Sequence, residues 1–221
     1  LHGPKSKLPL LKKIGASAET SSKSTSASHV IDKGEKQESS VISLKLRNLH
    51  DLKKPALEAV DSALWKVKES NAKVYSDSEY RVIILSPLLT KEKDNSFKAI
   101  LLAQDIERIL NQYNRRSQQK INFGIGANTG DLVVESKDGK FKFISMGNTI
   151  TLSKKLSQIS NSEVLISENL HRKTSTKVKV DRTQQEGVWK LKKVIDHTPH
   201  SEFINRFVQK QKTNFKQHSP H

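Results

Sequence analysis

Two kinds of hydrophobic periodicity alternate along the chain, one typical of amphipathic helices and one typical of strands. Apolar residues recur on one helical face in residues 51–70 and again in residues 96–118, so both stretches are predicted to be helices. Pro55 fits only the first turn of a helix, which places the start of the first helix near Asp51–Lys54. A third, shorter helix is predicted at residues 149–159.

Between these helices lie short runs rich in Val, Ile and aromatic residues, which predict strands. The predicted strands are, in chain order, 41–46, 74–75, 80–85, 121–127, 132–134, 140–144, 164–166, 177–180 and 188–194. We expect Asn128-Thr129-Gly130 to form a hairpin turn between two of them, and Asp138-Gly139 to close another hairpin. This order predicts an α+β fold with an antiparallel-rich sheet and helices packed on one face.

The two ends of the chain differ in composition from the middle. Residues 1–40 are predicted to be a disordered Ser/Lys-rich linker, because residues 16–28 contain no large apolar side chain. The folded domain is expected at residues 41–195, followed by a basic C-terminal extension at 196–221. The chain begins with Leu1 rather than Met, so we expect it to be a piece of a longer protein with an upstream domain.

Composition excludes several classes of protein. The chain has 221 residues and no cysteine, which excludes a disulfide framework, a thiolate zinc site and a cysteine nucleophile. No apolar run approaches the roughly 18 residues needed to span a bilayer. No secretory signal is recognisable, so we expect no membrane span and a cytoplasmic location. The net charge of +16 attracts polyanions such as nucleic acids and nucleotide phosphates.

Three segments carry a more specific pattern than their periodicity. They read FGIGANTGDLVV at 123–134, FKFISMGNTITLSKKL at 141–156 and EVLIS at 163–167. Their order and spacing resemble the catalytic domain of class III adenylyl and guanylyl cyclases, over roughly residues 40–194. The resemblance implies a ferredoxin-like core and a site shared by two protomers. It also implies two Asp residues that hold two Mg²⁺ or Mn²⁺ ions on ATP or GTP while the ribose 3′-hydroxyl attacks the α-phosphate.

The metal positions of that family are only partly kept in this chain. The resemblance puts Arg47 at the first metal position, or Asn48 if the register shifts by one. A guanidinium cannot hold a divalent cation and repels it. The second metal position is Asp77, in the stretch Lys73-Val74-Tyr75-Ser76-Asp77. One metal ligand is therefore expected to survive and one to be lost.

The nucleotide-binding positions are also altered. The resemblance assigns base reading to Lys73 and Ile144, orientation of the ribose to Thr151, and stabilisation of the transition state to Lys155. Ile144 cannot hydrogen-bond a base, and Lys155 lacks the bidentate fork of the family's Arg. Each transition-state group is worth roughly 2.7–4 kcal/mol. These replacements predict a degenerate cyclase-homology domain with little or no turnover.

Three interpretations of such a domain remain open. It is a regulatory module that forms a homodimer or heterodimer through the cyclase-type interface. Alternatively, Lys73, Lys155 and Arg47 still hold a nucleotide without metal. Or the chain is one half of an active heterodimer whose partner supplies the metal ligands.

Outside this family, the positive charge allows a nucleic-acid-binding module. Only 5% of the residues are aromatic and no recognition motif is present, which disfavours that alternative.

Overall fold

The computed structural model describes residues 35–137, 140–145 and 147–195. Its strands are β1 Glu35–Leu46, β2 Lys73–Asp77, β3 Tyr80–Leu85, β4 Phe123–Lys137, β5 Lys140–Ser145, β6 Val164–Ser167, β7 Val178–Arg182 and β8 Val188–Val194. Its helices are α1 Lys54–Glu69, α2 Pro87–Thr90, α3 Ser96–Arg116, α4 Thr149–Ile159 and α5 Glu168–Thr174. The three long helices lie where the periodicity predicts them.

Eight strands form one sheet in the order β2-β3-β1-β4-β6-β8-β7, with β5 paired to β4 beside this path. All strand pairs are antiparallel except β4 with β6. The first part of the chain runs β1-α1-β2-β3-α3-β4, and its strand order β2-β3-β1-β4 is ferredoxin-like. The predicted α+β class with an antiparallel-rich sheet is confirmed.

The main core lies between the sheet and helices α1 and α3. Strand β1 alternates, so Ile42, Leu44 and Leu46 all point into this core and are fully buried. Helix α3 faces them with apolar residues at helical spacing, among them Ile106 and Leu110. Burial of each such side chain stabilises the fold by roughly 1.5–3 kcal/mol.

Helix α4 lies on the opposite face of the sheet, so the prediction that the helices pack on one face is wrong for this helix. The helix contacts β1, β4 and β6 at very short range. A Cβ atom at Gly126 would lie 2.2 Å from the carbonyl oxygen of Ser153, and one at Gly124 would lie 2.2 Å from that of Ser157. Glycine at both positions therefore lets the helix backbone rest directly on the strand.

The hairpin turn predicted at residues 128–130 is also wrong, because β4 continues through it for 15 residues. The long β1 strand pairs with β4 from Leu46 opposite Phe123 to Glu35 opposite Val134, so the backbone groups of this stretch are used in the sheet. Asn128 is buried, and its side chain donates to the carbonyl of Thr149 at 3.0 Å. A turn-forming residue type here serves instead to hold the start of α4.

The described fold begins earlier than the sequence suggests. Strand β1 starts at Glu35, so residues 35–40, assigned to the linker, belong to the sheet, where Ser39 and Ser40 are buried. Residues 1–34, the extension 196–221 and the turn pair Asp138-Gly139 lie outside the described residues. Within the described ranges, no helix combines the length and apolar character needed to cross a membrane.

Candidate functional site

Arg47 directly follows β1 and holds the end of α4. Its guanidinium donates to the carbonyl oxygens of Gln158 at 3.0 Å and Ser157 at 3.4 Å, and also to that of Ser160. These carbonyls close the helix and have no partner within it, and they carry the negative end of its dipole. The side chain is half-buried in this contact. Arg47, which the resemblance assigns to the first metal position, thus acts as a cap for the C-terminus of α4.

Asn48, the neighbouring residue, is engaged elsewhere. Its side-chain amide donates to the carbonyl of Lys120 at 2.9 Å, and its oxygen accepts from the backbone N–H of Asn122 at 2.9 Å. Both contacts tie the end of β1 to the entrance of β4. A register shift of one residue therefore places no carboxylate at the first metal position.

Asp77 ends β2 and is paired with a lysine that lies on α4. Its carboxylate forms an ion pair with the ammonium of Lys154, whose side chain is 24% exposed. The same ammonium lies 5.2 Å from the centre of the Tyr80 ring. A second ammonium, that of Lys45, lies 5.4 Å from the centre of the same ring and 3.7 Å from the carboxylate of Glu79. Two cations therefore flank the β2–β3 turn, and each is neutralised by one acid.

These residues do not fit a divalent metal ion. Mg²⁺ and Ca²⁺ are held by several oxygen ligands, commonly from more than one carboxylate. Among the described residues, no three His, Cys, Asp or Glu side chains are grouped in a way that would hold a metal. Asp77 faces an ammonium instead of a second carboxylate, and Arg47 contributes a further positive charge to the same sheet face.

Lys73 and Ile144 lie on two strands that are joined by an aromatic contact. Lys73 begins β2, is exposed, and shares a sheet face with Tyr75 and Asp77 by strand alternation. The Tyr75 ring meets the Phe143 ring edge-on at 6.3 Å, and the Tyr75 hydroxyl donates to the carbonyl of Phe141 at 3.3 Å. Burial raises the pKa of Tyr75 above its ordinary value.

Ile144 follows Phe143 along β5 and is half-buried. Strand alternation turns its side chain to the face of β5 opposite Phe143. The contact between β2 and β5 is therefore made by apolar rings and a backbone carbonyl. No polar side chain stands at position 144 to read a base beside Lys73.

Thr151 and Lys155 lie one turn apart on α4 and are both exposed. The helix turns Ser153, Leu156 and Ser157 to the sheet, which leaves these two on its outer side. Neither side chain makes a hydrogen bond or an ion pair with any part of the chain that the structure describes. The candidate residues of one chain therefore lie in two separate places. Lys73 and Asp77 lie on the sheet face, and Thr151 and Lys155 lie on the outer side of α4.

Three residues near Asp77 were not among the candidates predicted from the sequence: Lys45, Tyr80 and Lys154. Strand alternation in β1 places Lys45 on the same face as Ser43, and the Ser43 hydroxyl lies 2.8 Å from that of Ser153 on α4. Strand alternation alone could therefore have predicted that Lys45 lies on the α4 side of the sheet. Lys154 stands beside the family position Lys155, and only the docking of α4 shows which of the two meets Asp77.

Several solved structures with the same fold are nucleotide cyclase domains. A non-canonical dimeric guanylyl cyclase domain of the RhoGC fusion protein from the aquatic fungus Blastocladiella emersonii matches with a TM-score of 0.60 and 12% identity, over 74% of this chain and 99% of that one. The guanylate cyclase domain of RhGC from Catenaria anguillulae, solved with GTP, matches with a TM-score of 0.55 and 14% identity, over 73% and 98%. The adenylyl cyclase CyaB from P. aeruginosa matches with a TM-score of 0.51 and 15% identity, over 74% and 96%.

No protein-family model matches the sequence, and no curated protein matches it either. At identities of 12–15% the structural likeness establishes the fold and not the activity. That fold is the one expected from the three sequence segments. The chain has the fold of the catalytic domains of class III adenylyl and guanylyl cyclases.

Proposed function

We propose that the chain is a non-catalytic cyclase-fold domain that serves as a regulatory and dimerisation module of a longer signalling protein. The observation that carries this proposal is the ion pair between Asp77 and Lys154. It places an ammonium on the one acidic side chain that stands at a metal position of the cyclase pattern. Arg47, at the other position, is bound to the end of α4.

The remaining chemistry agrees with the loss of turnover. Attack of a ribose hydroxyl on a phosphate needs metal ions or other cations placed where negative charge develops. Of the candidate cations, Arg47 lies on carbonyls, Lys154 lies on a carboxylate, Lys155 points outward from α4, and Lys73 is exposed at the start of β2. Loss of a single group that stabilises the transition state slows catalysis about 10²–10³-fold. The combined replacements at Arg47, Thr151 and Lys155 therefore leave no efficient cyclase.

Dimerisation is supported by the outer side of α4. Thr151 and Lys155 are exposed there without side-chain partners in the described part of the chain. In the cyclase pattern these positions complete a site across two protomers. One structural neighbour, the RhoGC domain, has been solved both as a non-canonical dimer and as a monomer. We propose that the same helix side meets a second cyclase-fold domain, in a homodimer or a heterodimer.

The proposal includes nucleotide binding without turnover. Lys73 and Lys155 are exposed cations that would meet the phosphates of ATP or GTP once two protomers pair. Calorimetry with ATP and GTP, with and without Mn²⁺, tests this. Metal-independent binding that is lost in Lys73→Ala and Lys155→Ala supports a nucleotide sensor. Binding that requires Mn²⁺ contradicts the proposed loss of the metal site.

The main test is turnover by the purified chain. We expect no cyclic AMP or cyclic GMP above background from ATP or GTP with Mg²⁺ or Mn²⁺, detected by mass spectrometry. Formation of either product that disappears in Asp77→Asn would overturn the proposal. The matched control is Asp181→Asn, because Asp181 also pairs with a lysine, Lys192, but lies on β7.

A second measurement tests the interface. Sedimentation velocity over a range of concentrations should show a dimer that the double variant Thr151→Arg/Lys155→Glu weakens. The control is Gln112→Arg, an exposed position on α3. A monomer at every concentration, or equal weakening by the control, contradicts the proposed α4 interface.

A further inference from the structure

The last two strands lie at the end of the sheet, and residues 191–194 of β8 pair with β7 but not with β6. Between residues 171 and 195 the sequence has eight Lys and Arg but only two acidic residues. Val178 and Val180 on β7 and Leu191 and Val194 on β8 face the main core. Strand alternation therefore turns Lys179 and Asp181 of β7 and Lys190 of β8 to the other side of the sheet, and the register shift between Lys179 and Val180 lets Lys192 and Lys193 of β8 both lie there. This outer face, called here the basic ribbon, carries four lysines and one acid: Lys179, Asp181, Lys190, Lys192 and Lys193.

The basic ribbon is open. Helix α4, which covers the same side of the sheet, makes its main contacts with β1, β4 and β6. Lys179, Lys192 and Lys193 are exposed, and Lys190 is half-exposed. The large apolar side chains that the described part of the chain exposes are Leu57, Trp65, Leu101 and Ile159, so none lies on β7 or β8.

Two of the four lysines have acidic partners and two do not. Lys190 pairs with Glu163, and Lys192 pairs with Asp181 at 2.9 Å. Lys179 and Lys193 are directly opposite each other in the register of β7 and β8. Neither makes an ion pair or a side-chain hydrogen bond with a described residue. Like charges placed directly opposite on an antiparallel pair destabilise it, so this arrangement costs stability in the free protein.

Protection of a sheet edge does not account for two lysines that face each other. β7 is the edge strand, and lysine on an edge strand discourages pairing with other sheets. β6 pairs with residues 188–190 of β8, so the stretch of β8 around Lys193 pairs with β7 but not with β6 and is also an edge. Edge protection requires lysines on these strands but not directly opposite each other, where they repel. A polyanion on the outer face would relieve the repulsion and use both charges.

We propose that the basic ribbon binds the phosphate backbone of a double-stranded nucleic acid. A duplex is favoured over a single strand because single-strand binding relies on aromatic stacking. Trp189 points toward the core side, where it lies between the His171 ring at 4.3 Å and the Arg182 guanidinium at 5.5 Å. A membrane is disfavoured because the ribbon exposes no large apolar side chain to insert.

The geometry suits a duplex in a second way. A two-stranded β-ribbon fits the major groove, which is about 12 Å wide. Lys179 and Lys193 lie opposite each other across the two strands. Lys190 stands further along β8, roughly 10 Å from Lys193 at the usual rise of a strand. The lysines thus form a short array of cations, and the Lys179–Lys193 end of this array lies where only β7 and β8 are paired.

The test uses the full 221-residue chain and labelled duplexes of about 20 base pairs, in RNA and DNA, with anisotropy read over a range of salt concentrations. We expect log K to fall with log salt with a slope of about −2 to −4. The double variant Lys179→Gln/Lys193→Gln should weaken binding about tenfold or more and reduce the slope by about two. The control Lys53→Gln/Lys142→Gln removes the same charge at exposed positions on other elements and should change affinity less than about twofold.

Other results would overturn the proposal. No duplex binding at low salt, or equal loss in both double variants, would show that the ribbon has no particular role. Tighter binding to a single strand would exclude the duplex. Tighter binding to phosphatidylserine vesicles that is lost in Lys179→Gln/Lys193→Gln would identify a membrane surface instead. None of these results depends on the cyclase assay, so this proposal and the proposed function fail separately.

Discussion

At the residue scale, Arg47, which the sequence resemblance assigns to a metal position, makes a structural contact with the end of α4. We expect Arg47→Ala to destabilise the chain by about 2 kcal/mol, because a charged donor to three helix-end carbonyls is lost. Urea unfolding measures the change. Arg47→Lys keeps a positive charge at the helix end and should recover part of it, since such a charge is worth about 0.3–1 kcal/mol. Equal stability of Arg47→Ala and the unaltered chain would contradict the assigned role.

Glu107 on α3 provides a prediction on pH. Burial raises its pKa, the nearby Glu163 charge raises it further, and Lys190 partly offsets both. The folded state therefore disfavours the charged carboxylate. This cost is present at neutral pH and disappears as the pH falls through the raised pKa toward the ordinary value of about 4.3.

We accordingly expect Glu107→Gln to be more stable than the unaltered chain at pH 7, with the difference vanishing near pH 4. Urea unfolding at several pH values measures this. Glu186→Gln is the control, because Glu186 is exposed in the β7–β8 loop and should change stability by less than about 0.5 kcal/mol. A destabilised Glu107→Gln at pH 7 would show that the carboxylate makes a favourable contact instead.

At the scale of elements, helices α1 and α3 were predictable because each carries an apolar face of three turns or more. The bounds of α4, 149–159, were predicted as the structure has them. The face on which α4 packs was not predictable, because its contact with β4 depends on missing side chains at Gly124 and Gly126 rather than on apolar ones. Asn128, Thr129 and Gly130 are typical of a turn, and pairing with the long β1 keeps β4 extended through them.

The contact between β4 and α4 can be tested directly. A Cβ atom at Gly126 would come within 2.2 Å of a backbone oxygen and 2.4 Å of a backbone nitrogen of α4, and neither can move alone. We expect Gly126→Ala to cost about 3 kcal/mol or more, or to abolish folding. The comparison variant is Gly130→Ala, where the nearest atom is the side-chain oxygen of Thr149 at 2.6 Å. That side chain can turn away from the new methyl group by giving up its hydrogen bond to the Asp131 carbonyl, so we expect a smaller loss of stability. Similar unfolding curves for both variants would argue against a rigid contact.

The candidate site was predictable only in part, for a related reason. The resemblance located Arg47, Asp77 and Thr151 on the elements that carry them. It gave no information about the ion pair between Asp77 and Lys154, since that contact joins residues 77 positions apart through the docking of α4. Sequence patterns report the period of each element, whereas the site depends on which sides of two elements meet.

At the scale of the whole molecule, the net charge of +16 should make stability depend on salt. The ion pairs of the described residues are mostly exposed, and such pairs contribute about 0–1 kcal/mol each. Repulsion among the unpaired cations therefore outweighs them at low ionic strength. We expect the melting temperature to rise between about 20 mM and about 300 mM NaCl as this repulsion is screened.

Two charge reversals locate the repulsion. Lys179→Glu replaces a like-charged pair with Lys193 by an opposite-charged one, and should stabilise the chain at low salt by about 0.2–1 kcal/mol while reducing its salt dependence. Lys142→Glu makes the same change in net charge but places an acid opposite Glu135 of β4, so it should destabilise. If both variants shift the melting temperature equally, net charge alone governs stability. If Lys179→Glu raises the melting temperature and Lys142→Glu lowers it, repulsion between Lys179 and Lys193 lowers the stability of the free domain.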